Sequence, residues 1–274
     1  MQVITTIQEM VSWSDSAVGR IGLVPTMGFL HEGHQSLMHI LRPQVAHLIV
    51  SIYVNPLQFG EGEDLDSYPR DLDADIAIAQ AAGVDVIFAP EDFYPSGFST
   101  SISVHHLTQG LCGRDRPGHF EGVCTVVARL FGVTGCDTAI FGEKDYQQLA
   151  VLRRMTRDLG LRVKVVGAPL VRDTDGLALS SRNVYLSQDE RTRALSLSQA
   201  LNAVVAAVEK GERKVSLLLA LGRRELRVDK IDYLEMVHPD TLKPLDQLQG
   251  PARLLVAARV GKTRLIDNRE VLPR

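Results

Sequence analysis

The sequence is poor in cysteine, and its cysteines fit no known pairing scheme. Cys112, Cys124 and Cys136 follow one another at intervals of twelve residues in a chain of 274 residues. An odd number of cysteines at this spacing suggests no disulfide framework and fits no zinc-binding pattern. We therefore expect three reduced, structural thiols in a cytoplasmic protein.

A targeting signal and a long hydrophobic run are also missing from the sequence. Residues 1–6 have no basic region ahead of an apolar run, and charged residues interrupt every long apolar stretch. A secretory signal needs the first feature, and a membrane-spanning helix needs an uninterrupted apolar stretch. We expect neither of them, and hence no membrane partner.

Charge of one sign is not in excess. The chain has 30 basic and 33 acidic side chains, with a formal net charge of -3. Proteins that neutralise a nucleic acid backbone usually carry a basic excess, so we expect no nucleic-acid partner. With 45% hydrophobic and 23% charged residues, the composition is that of a globular protein with a substantial core.

The first part of the chain alternates between strand-like and helix-like segments. Apolar, β-branched runs predict strands over 21–24, 46–54, 84–89, 138–141 and 162–166, and the segments between them predict helices over 34–42, 72–82, 120–133 and 145–159. This alternation predicts an α/β fold with a parallel sheet covered on both faces. Ligands of such sheets bind at the carboxyl ends of the strands.

The pattern changes after Val171. Ser187 and Glu190 form a capping box, and the long helix that they start is expected to end at Gly211. A further helix over 215–226 and strands over 230–237, 253–260 and 263–267 follow. The last two strands are joined by a short hairpin turn. We predict a smaller α+β domain and place the domains at 1–172 and 173–274.

The loop after the strand over 21–24 carries His31-Glu32-Gly33-His34. A strand, a glycine turn at Gly28 and a helix N-terminus are typical of a phosphate site, where unbonded backbone N–H groups and His34 would face the anion. One alternative is a structural turn with two polar histidines. The other is a zinc pair, but zinc needs further ligands, and only His39 lies near in sequence.

Other strand ends carry polar groups as well. Gly142-Glu143-Lys144-Asp145 follows the strand over 138–141, where Lys144 would reach a triphosphate and Asp145 would accept from a ribose hydroxyl or cap the next helix. A solvated loop is an equally good interpretation of this segment alone. Gln58, after the strand over 46–54, and Gln148 are candidates to hold a small polar acid.

Two loops have alternative interpretations. Residues 175–183 contain Ser180, Ser181 and Arg182 after a glycine, which fits a mobile phosphate clamp or a domain linker capped by Asn183. The arginines and glycines of residues 113–122 suit an anion-contacting loop or a solvated one.

Two acidic segments lie between the second and third predicted strands. The run of Glu61, Glu63, Asp64 and Asp66 is expected to be a solvated surface. Asp71, Asp73 and Asp75 begin a helix, where carboxylates favour the helix dipole. One of these three is a candidate to touch a phosphate-bound magnesium ion.

Several of these segments together resemble one enzyme family. The pattern His31-x-Gly33-His34 alone resembles the nucleotide-binding motif of nucleotidyltransferases and class I aminoacyl-tRNA synthetases. Combined with residues 25–28, 54–59, 116–120, 141–148 and 175–183, in the family's order, it resembles the pantothenate synthetases (pantoate–β-alanine ligases). Residues 256–259 and 264–268 extend the resemblance to the C-terminal part. It implies a Rossmann-like parallel-sheet domain followed by a smaller α+β domain.

The resemblance implies a two-step reaction. The carboxylate of (R)-pantoate attacks the α-phosphorus of ATP, which gives pantoyl adenylate and pyrophosphate. The amine of β-alanine then attacks the acyl carbon and yields pantothenate and AMP. Magnesium on the distal phosphates and a homodimer are also implied.

The family's functional positions carry over residue by residue. His34 corresponds to the proton donor and is expected to act with His31, Lys144, Ser180, Ser181 and Arg182. Gln58 corresponds to a contact of both pantoate and β-alanine, Gln148 contacts pantoate, and Asn55 helps. Asp75 is the candidate near the metal. The ATP-binding positions are Met27, Gly28, Phe29, Leu30, His31, Glu32, Gly33, His34, Gly142, Glu143, Lys144, Asp145, Val171, Leu179, Ser180, Ser181 and Arg182.

One position departs from the family, because Phe29 stands where a small residue is common. The alternatives are a nucleotidylyltransferase of the same superfamily, which leaves no free AMP, and a non-catalytic ATP-sensing module. A class I synthetase fragment fits less well, because the chain lacks a lysine-rich second motif, an anticodon domain and a basic surface.

Overall fold

The alternating strands of the first part assemble into one parallel sheet in the computed structural model, which describes residues 1–273. The six strands, taken from this described part, lie in the order β1-β4-β3-β2-β5-β6, and each neighbouring pair is parallel. The predicted α/β class is therefore confirmed. The strands are β1 Gln2–Ile4, β2 Ile21–Thr26, β3 His47–Ile52, β4 Val86–Phe88, β5 Thr138–Gly142 and β6 Lys164–Ala168.

Helices connect these strands. They are α1 Ile7–Ser16, α2 Glu32–Leu41, α3 Leu72–Ala81, α4 Leu111–Asp115, α5 His119–Thr134 and α6 Tyr146–Asp158. The predicted helices correspond to α2, α3, α5 and α6 within a few residues. The sequence patterns gave no indication of β1, α1 or α4, which are short or weakly patterned.

The strand order creates a switch point at β2. The chain runs from β2 to β3 and β4 on one side and then returns to place β5 on the other side of β2. Gly22 of β2 pairs with Leu48 and with Thr138. The amide of Ile21 donates to the carboxylate of Asp137 at 2.8 Å, across 116 residues of chain. Ligands of open α/β sheets bind outside the carboxyl ends of strands at such a point.

The sheet packs on its helices through a continuous apolar core. Val24, Leu48 and Ile140 of the central strands and Met38 of α2 are all fully buried. Leu37, Met38 and Leu41 occupy neighbouring positions on one face of α2, so that this helix buries a stripe against the sheet. Its first turn is thereby held at the carboxyl end of β2.

A second unit contains most of the chain after Leu170, and residues 110–115 and 144–147 also belong to it. Its elements are the helices α7 Gln188–Ala194, α8 Ser196–Glu209 and α9 Val215–Glu225, and the antiparallel strands β7 Lys230–Val237, β8 Ala252–Val260 and β9 Thr263–Val271. The predicted α+β arrangement agrees with these elements. The prediction of a single boundary near residue 172 did not include the two short earlier segments.

The long helix predicted between Ser187 and Gly211 is interrupted at Leu195. Ser187 and Glu190 form the predicted capping box of α7. The hydroxyl of Ser196 donates to the Arg193 carbonyl at 2.6 Å and accepts from the amide of Arg227 at 2.9 Å. Serine hydroxyls compete with helical backbone bonds in this way, which explains the break.

The three cysteines are buried thiols in the structure. Burial raises the pKa of Cys124 and of Cys136 to about 12, which keeps both in the unreactive thiol form. No helix of the described chain combines the length and apolar character that crossing a membrane requires.

Candidate active site

His31 and His34 lie together at the start of α2, directly beyond β2. His31 is the N-cap, and its Nδ1 accepts from the Gly33 amide at 3.1 Å. Nδ1 of His34 accepts from the His31 amide at 3.3 Å. The two side chains form a reciprocal capping box, with ring centroids 4.1 Å apart. The histidines therefore satisfy the helix terminus themselves.

This geometry fixes the tautomer of both rings. A neutral imidazole has one N–H donor and one acceptor nitrogen. Because Nδ1 of each ring accepts from a backbone amide, the proton of the neutral ring lies on Nε2. Both rings thus offer an Nε2–H donor, the chemistry that stabilises charge developing on a phosphate.

We expected the backbone amides before α2 to face an anion, but several of them donate to side chains of the protein. The amide of Gly28 donates to the Thr26 hydroxyl at 3.1 Å. The amides of Phe29 and Leu30 donate to the two carboxylate oxygens of Asp75, at 2.9 and 2.6 Å. Together with the amide of Gly33, these N–H groups already have side-chain acceptors. These four amides are therefore already bonded within the protein.

Asp75 is a buried carboxylate on α3, with 2% of its surface exposed. Burial raises its pKa above the ordinary value, although the amides of Leu30 and Phe29 act in the opposite direction. Asp71 instead caps α3 by accepting from the Ala74 amide. Within residues 1–273 no group of three His, Cys, Asp or Glu side chains is arranged to hold a metal ion.

The loop after β3 brings Asn55 and Gln58 to the same edge of the sheet. Asn55 is buried and donates to the Gln58 side-chain oxygen and to the Gly122 carbonyl, both at 3.1 Å. Gln58 in turn donates to the sulfur of Met27 at 2.9 Å. The loops after β2 and β3 are thereby joined, and Asn55 orients Gln58.

Arg116 and His119 fix the backbone of Gln58. Nδ1 of His119 donates to the Gln58 carbonyl at 2.8 Å, and Arg116 donates to the same oxygen at 3.3 Å. Arg116 also binds both carboxylate oxygens of Glu63 at 2.6 Å. Residues 113–122 were predicted to contact an anion or solvent, and Glu63 to be solvated. The ion pair between Arg116 and Glu63, which are 53 residues apart in sequence, shows that the expectation of a solvated Glu63 was wrong.

Glu63 titrates differently from a surface carboxylate. Its partial burial on its own would raise the pKa, but the hydrogen bonds and charge of Arg116 hold the pKa of Glu63 below its ordinary value of 4.5. The ion pair is only partly exposed, with 17% of the Arg116 side chain and 26% of the Glu63 side chain accessible. It is therefore screened less than a surface pair.

The chain leaves β5 through Gly142 and Glu143, next to the end of β2. Lys144 follows and belongs to the second unit, where its carbonyl accepts from the Asn268 side chain at 2.8 Å. Arg253 donates to Asn268 at 2.8 Å, and its guanidinium lies 4.1 Å from the centroid of the Tyr146 ring. The main chain at Lys144 is thus fixed by buried side chains of β8 and β9.

The segment from Val171 to Leu179 is a tight hairpin within the second unit. The amide of Leu179 donates to the Val171 carbonyl at 3.1 Å, which brings these two predicted ATP-binding residues together. Ser180 then caps a 3-10 turn over Ser181–Tyr185 by accepting from the Arg182 amide. Arg172 binds both carboxylate oxygens of Asp267, at 2.7 and 2.8 Å.

The predicted residues divide between the two units. The first unit holds Met27, Gly28, Phe29, Leu30, His31, Glu32, Gly33, His34, Asn55, Gln58, Asp75, Gly142, Glu143 and Gln148, and the second holds Lys144, Asp145, Val171, Leu179, Ser180, Ser181 and Arg182. Asn268 received no role from the sequence. The only signal was the polar Asp267-Asn268 pair, which directly follows the apolar residues Leu265 and Ile266 in β9.

Comparisons with known proteins show which family the chain is similar to. The family model of Pantoate-beta-alanine ligase matches residues 2–270. A pantothenate synthetase of Heliobacterium modesticaldum is 51% identical over 276 residues, covering 98% of either chain. The crystal structure of pantothenate synthetase from Thermus thermophilus is 50% identical, has a TM-score of 0.95, and covers 100% of both chains.

A further solved structure contains ligands. The pantoate–β-alanine ligase of Francisella tularensis, described as complexed with beta-gamma ATP and β-alanine, is 33% identical with a TM-score of 0.83 and covers 98% of this chain and 97% of that chain. The sequence and fold matches all extend over nearly the full length of the chain. The chain belongs to the pantoate–β-alanine ligase family.

Proposed function

We propose that this chain condenses (R)-pantoate with β-alanine at the expense of ATP, through a pantoyl adenylate. The observation that carries the proposal is the histidine pair at the end of β2 together with Gln58, whose side chain donates to Met27 of the same loop at 2.9 Å. Both rings offer Nε2–H donors at the switch point of the sheet. The match to the ligase family over residues 2–270 supports it.

In the first step a pantoate carboxylate oxygen forms a bond to the α-phosphorus, and the bond to pyrophosphate breaks. Negative charge gathers on the α-phosphate and on the leaving pyrophosphate. His31 and His34 would donate to these oxygens through Nε2–H. We assign the same electrostatic role to Lys144, Ser180, Ser181 and Arg182, because preorganised donors and cations lower the barrier where charge develops.

Gln58 is the proposed contact of pantoate, together with Gln148. The Gln58 backbone is fixed by His119 and Arg116, and its side chain is oriented by Asn55. A site with preset amide groups selects a substrate that bears hydroxyl and carboxylate groups. We also place β-alanine near Gln58, and the β-alanine complex of the Francisella tularensis relative supports this.

In the second step the β-alanine amine forms a bond to the acyl carbon. AMP leaves with the bonding electrons, and the amine nitrogen loses one proton as the amide forms. Fixing both reactants in one site makes the attack effectively unimolecular, which is the main help that binding gives to such a transfer. The products are pantothenate and AMP.

Magnesium accompanies ATP in the proposed reaction, but the residues present do not fit a protein-held magnesium site. Both oxygens of Asp75 accept backbone amides, and a three-ligand group is missing from the described residues. Mg²⁺ usually keeps several waters and binds substrate phosphates. We therefore assign no protein ligand to the ion and no step to it.

Product analysis tests the proposed function. The protein is mixed with MgATP, (R)-pantoate and β-alanine, and each is omitted in turn. AMP and pantothenate should appear only when all three are present, and pantoate with ATP alone should release about one pyrophosphate per site. If no AMP forms in any mixture, the ligase assignment fails, and a nucleotidylyltransferase becomes the function to test.

A further inference from the structure

The loop that delivers the histidines has a strained backbone. Gly28 and Phe29 are both left-handed, with φ of +81° and +52°. Glycine adopts this conformation freely, but for Phe29 it costs about 1–2 kcal/mol. An added side chain at Gly28 would also lie 2.9 Å from Asp75 and 3.0 Å from Ile52. The loop therefore needs specific contacts that hold it in this shape.

Asp75 supplies those contacts. Its carboxylate accepts from two consecutive amides, Phe29 at 2.9 Å and Leu30 at 2.6 Å. Hydrogen bonds from backbone N–H to an ionised carboxylate are about twice as strong as neutral ones. Because Asp75 lies on α3, it connects this helix to the residues that immediately precede His31.

We propose that Asp75 is a positioning residue, which holds the left-handed Gly28–Phe29 pair and thereby sets the direction of the His31 and His34 Nε2–H groups, and that it is not a magnesium ligand. The inference rests on the proposed function for its kinetic readout. It replaces the metal role expected for Asp75 from the sequence with a role through the histidines.

The test compares Asp75→Asn with Asp73→Asn, a carboxylate on the first turn of the same helix that is exposed. An asparagine amide offers one acceptor and turns a donor towards the second backbone N–H. Asp75→Asn should slow pyrophosphate release from MgATP and pantoate by up to about 10²-fold, the usual cost of a small misplacement of reacting groups. Asp73→Asn should react at the wild-type rate.

Two further readouts separate positioning from metal binding. The magnesium concentration that gives the half-maximal rate should be the same in Asp75→Asn and in the wild type. The double variant His34→Ala/Asp75→Asn should lose less than the product of the two single losses, because Asp75 acts partly through His34 and residues that act as one unit are not additive. A higher magnesium requirement, or additive losses, would overturn the proposal, as would a wild-type rate in Asp75→Asn.

A measurement on the wild-type protein remains decisive if Asp75→Asn does not fold. Hydrogen exchange of the Phe29 and Leu30 amides should be slow without ATP, and addition of magnesium chloride should leave it unchanged. Fast exchange at both amides, or a change on adding magnesium, would contradict the proposal. This readout does not involve catalysis. If the wild-type protein makes no pantothenate, the proposed function fails. The exchange of the Phe29 and Leu30 amides would then still decide whether Asp75 holds the loop.

Discussion

His34 occupies the third position of α2, where its ring both caps the helix and offers Nε2–H. Removal of one charge-stabilising donor typically costs about 10²–10³-fold in rate. We therefore expect His34→Ala to lower the rate of adenylate formation by that factor, measured as pyrophosphate release in a single turnover. The lost cap should also destabilise the fold by about 1 kcal/mol.

His39 provides the matched control for this variant. It lies on the same helix with its side chain exposed, so His39→Ala should keep the wild-type rate. A folded His34→Ala protein that reacts as fast as His39→Ala would remove His34 from the mechanism.

The ion pair between Glu63 and Arg116 predicts a pH effect on stability. A carboxyl whose pKa is lowered in the folded protein stabilises the fold above its unfolded pKa, and this stability is lost as pH falls through the folded pKa. For Glu63 the loss therefore begins near pH 4.5 and continues below it. Melting temperatures of Glu63→Gln, measured as the pH is lowered below 4.5, should therefore lack this loss of stability.

Glu61 serves as the control for the pH experiment, because it is an exposed glutamate two residues away. Glu61→Gln should give a melting curve against pH that runs parallel to the wild type. Parallel curves for Glu63→Gln would show that the ion pair has no effect on stability.

At the scale of residues, the sequence predicts what is local and misses what is distant. His31 and His34 are three positions apart, so their shared helix turn follows from the sequence. The bond from Leu30 to Asp75 spans 45 residues, and that from Arg116 to Glu63 spans 53. No spacing in the sequence indicates such pairs. Asp75 was therefore interpreted as a carboxylate at a helix start near a metal ion, and Glu63 as a solvated surface residue.

Helix α5 packs closely on the turn that bears Gln58, and one glycine permits it. A Cβ at Gly122 would collide with the backbone carbonyl of Leu57 and lie 2.6 Å from the Gln58 nitrogen. Overpacking of this kind typically costs about 1–3 kcal/mol. Gly122→Ala should therefore lower the melting temperature, and it should raise KM for pantoate because Gln58 is displaced.

Gly132 on the same helix is the control, because nothing lies within 4 Å of its added Cβ. Alanine is favoured over glycine in a helix by about 1 kcal/mol, so Gly132→Ala should melt at or above the wild-type temperature with an unchanged KM. Equal melting temperatures for the two variants would contradict the close approach at Gly122.

At the scale of elements, continuous apolar runs predicted the central strands, and the alternation of these runs with helix-length segments predicted the long helices. These patterns missed β1, a strand of three residues, and the break at Leu195, which depends on the bond from the Arg227 amide to Ser196. The hairpin that joins Val171 and Leu179 was also missed, since the sequence there was interpreted as a clamp or a linker.

At the scale of the whole molecule, the alternation of strands and helices predicted the parallel sheet, and the later change of pattern predicted a different second part. The sequence did not reveal that residues 110–115 and 144–147 belong to the second unit. Such short segments belong to a unit because of tertiary contacts, such as the bond from the Asn268 side chain to the Lys144 carbonyl. These contacts produce no periodic pattern in the sequence.

The homodimer implied by the resemblance and the cytoplasmic location expected from the cysteines remain proposals for this chain. Sedimentation at micromolar concentration should give twice the 30.1 kDa mass of one chain. The product analysis should be repeated at the concentrations used for sedimentation. A mass of 30.1 kDa in solutions that form pantothenate would show that one chain suffices for the reaction.

The placement of β2 between β3 and β5 has a consequence for synthesis on the ribosome. The β2 edge at Ile21 stays without its partner until Asp137 and β5 emerge, 116 residues later. At about 5–20 residues per second this takes roughly 6–23 s. An unpaired edge in the middle of the future sheet is a template for association with other chains during that time. Nascent chains that end before β5 should therefore depend on chaperones, whereas completed chains should not.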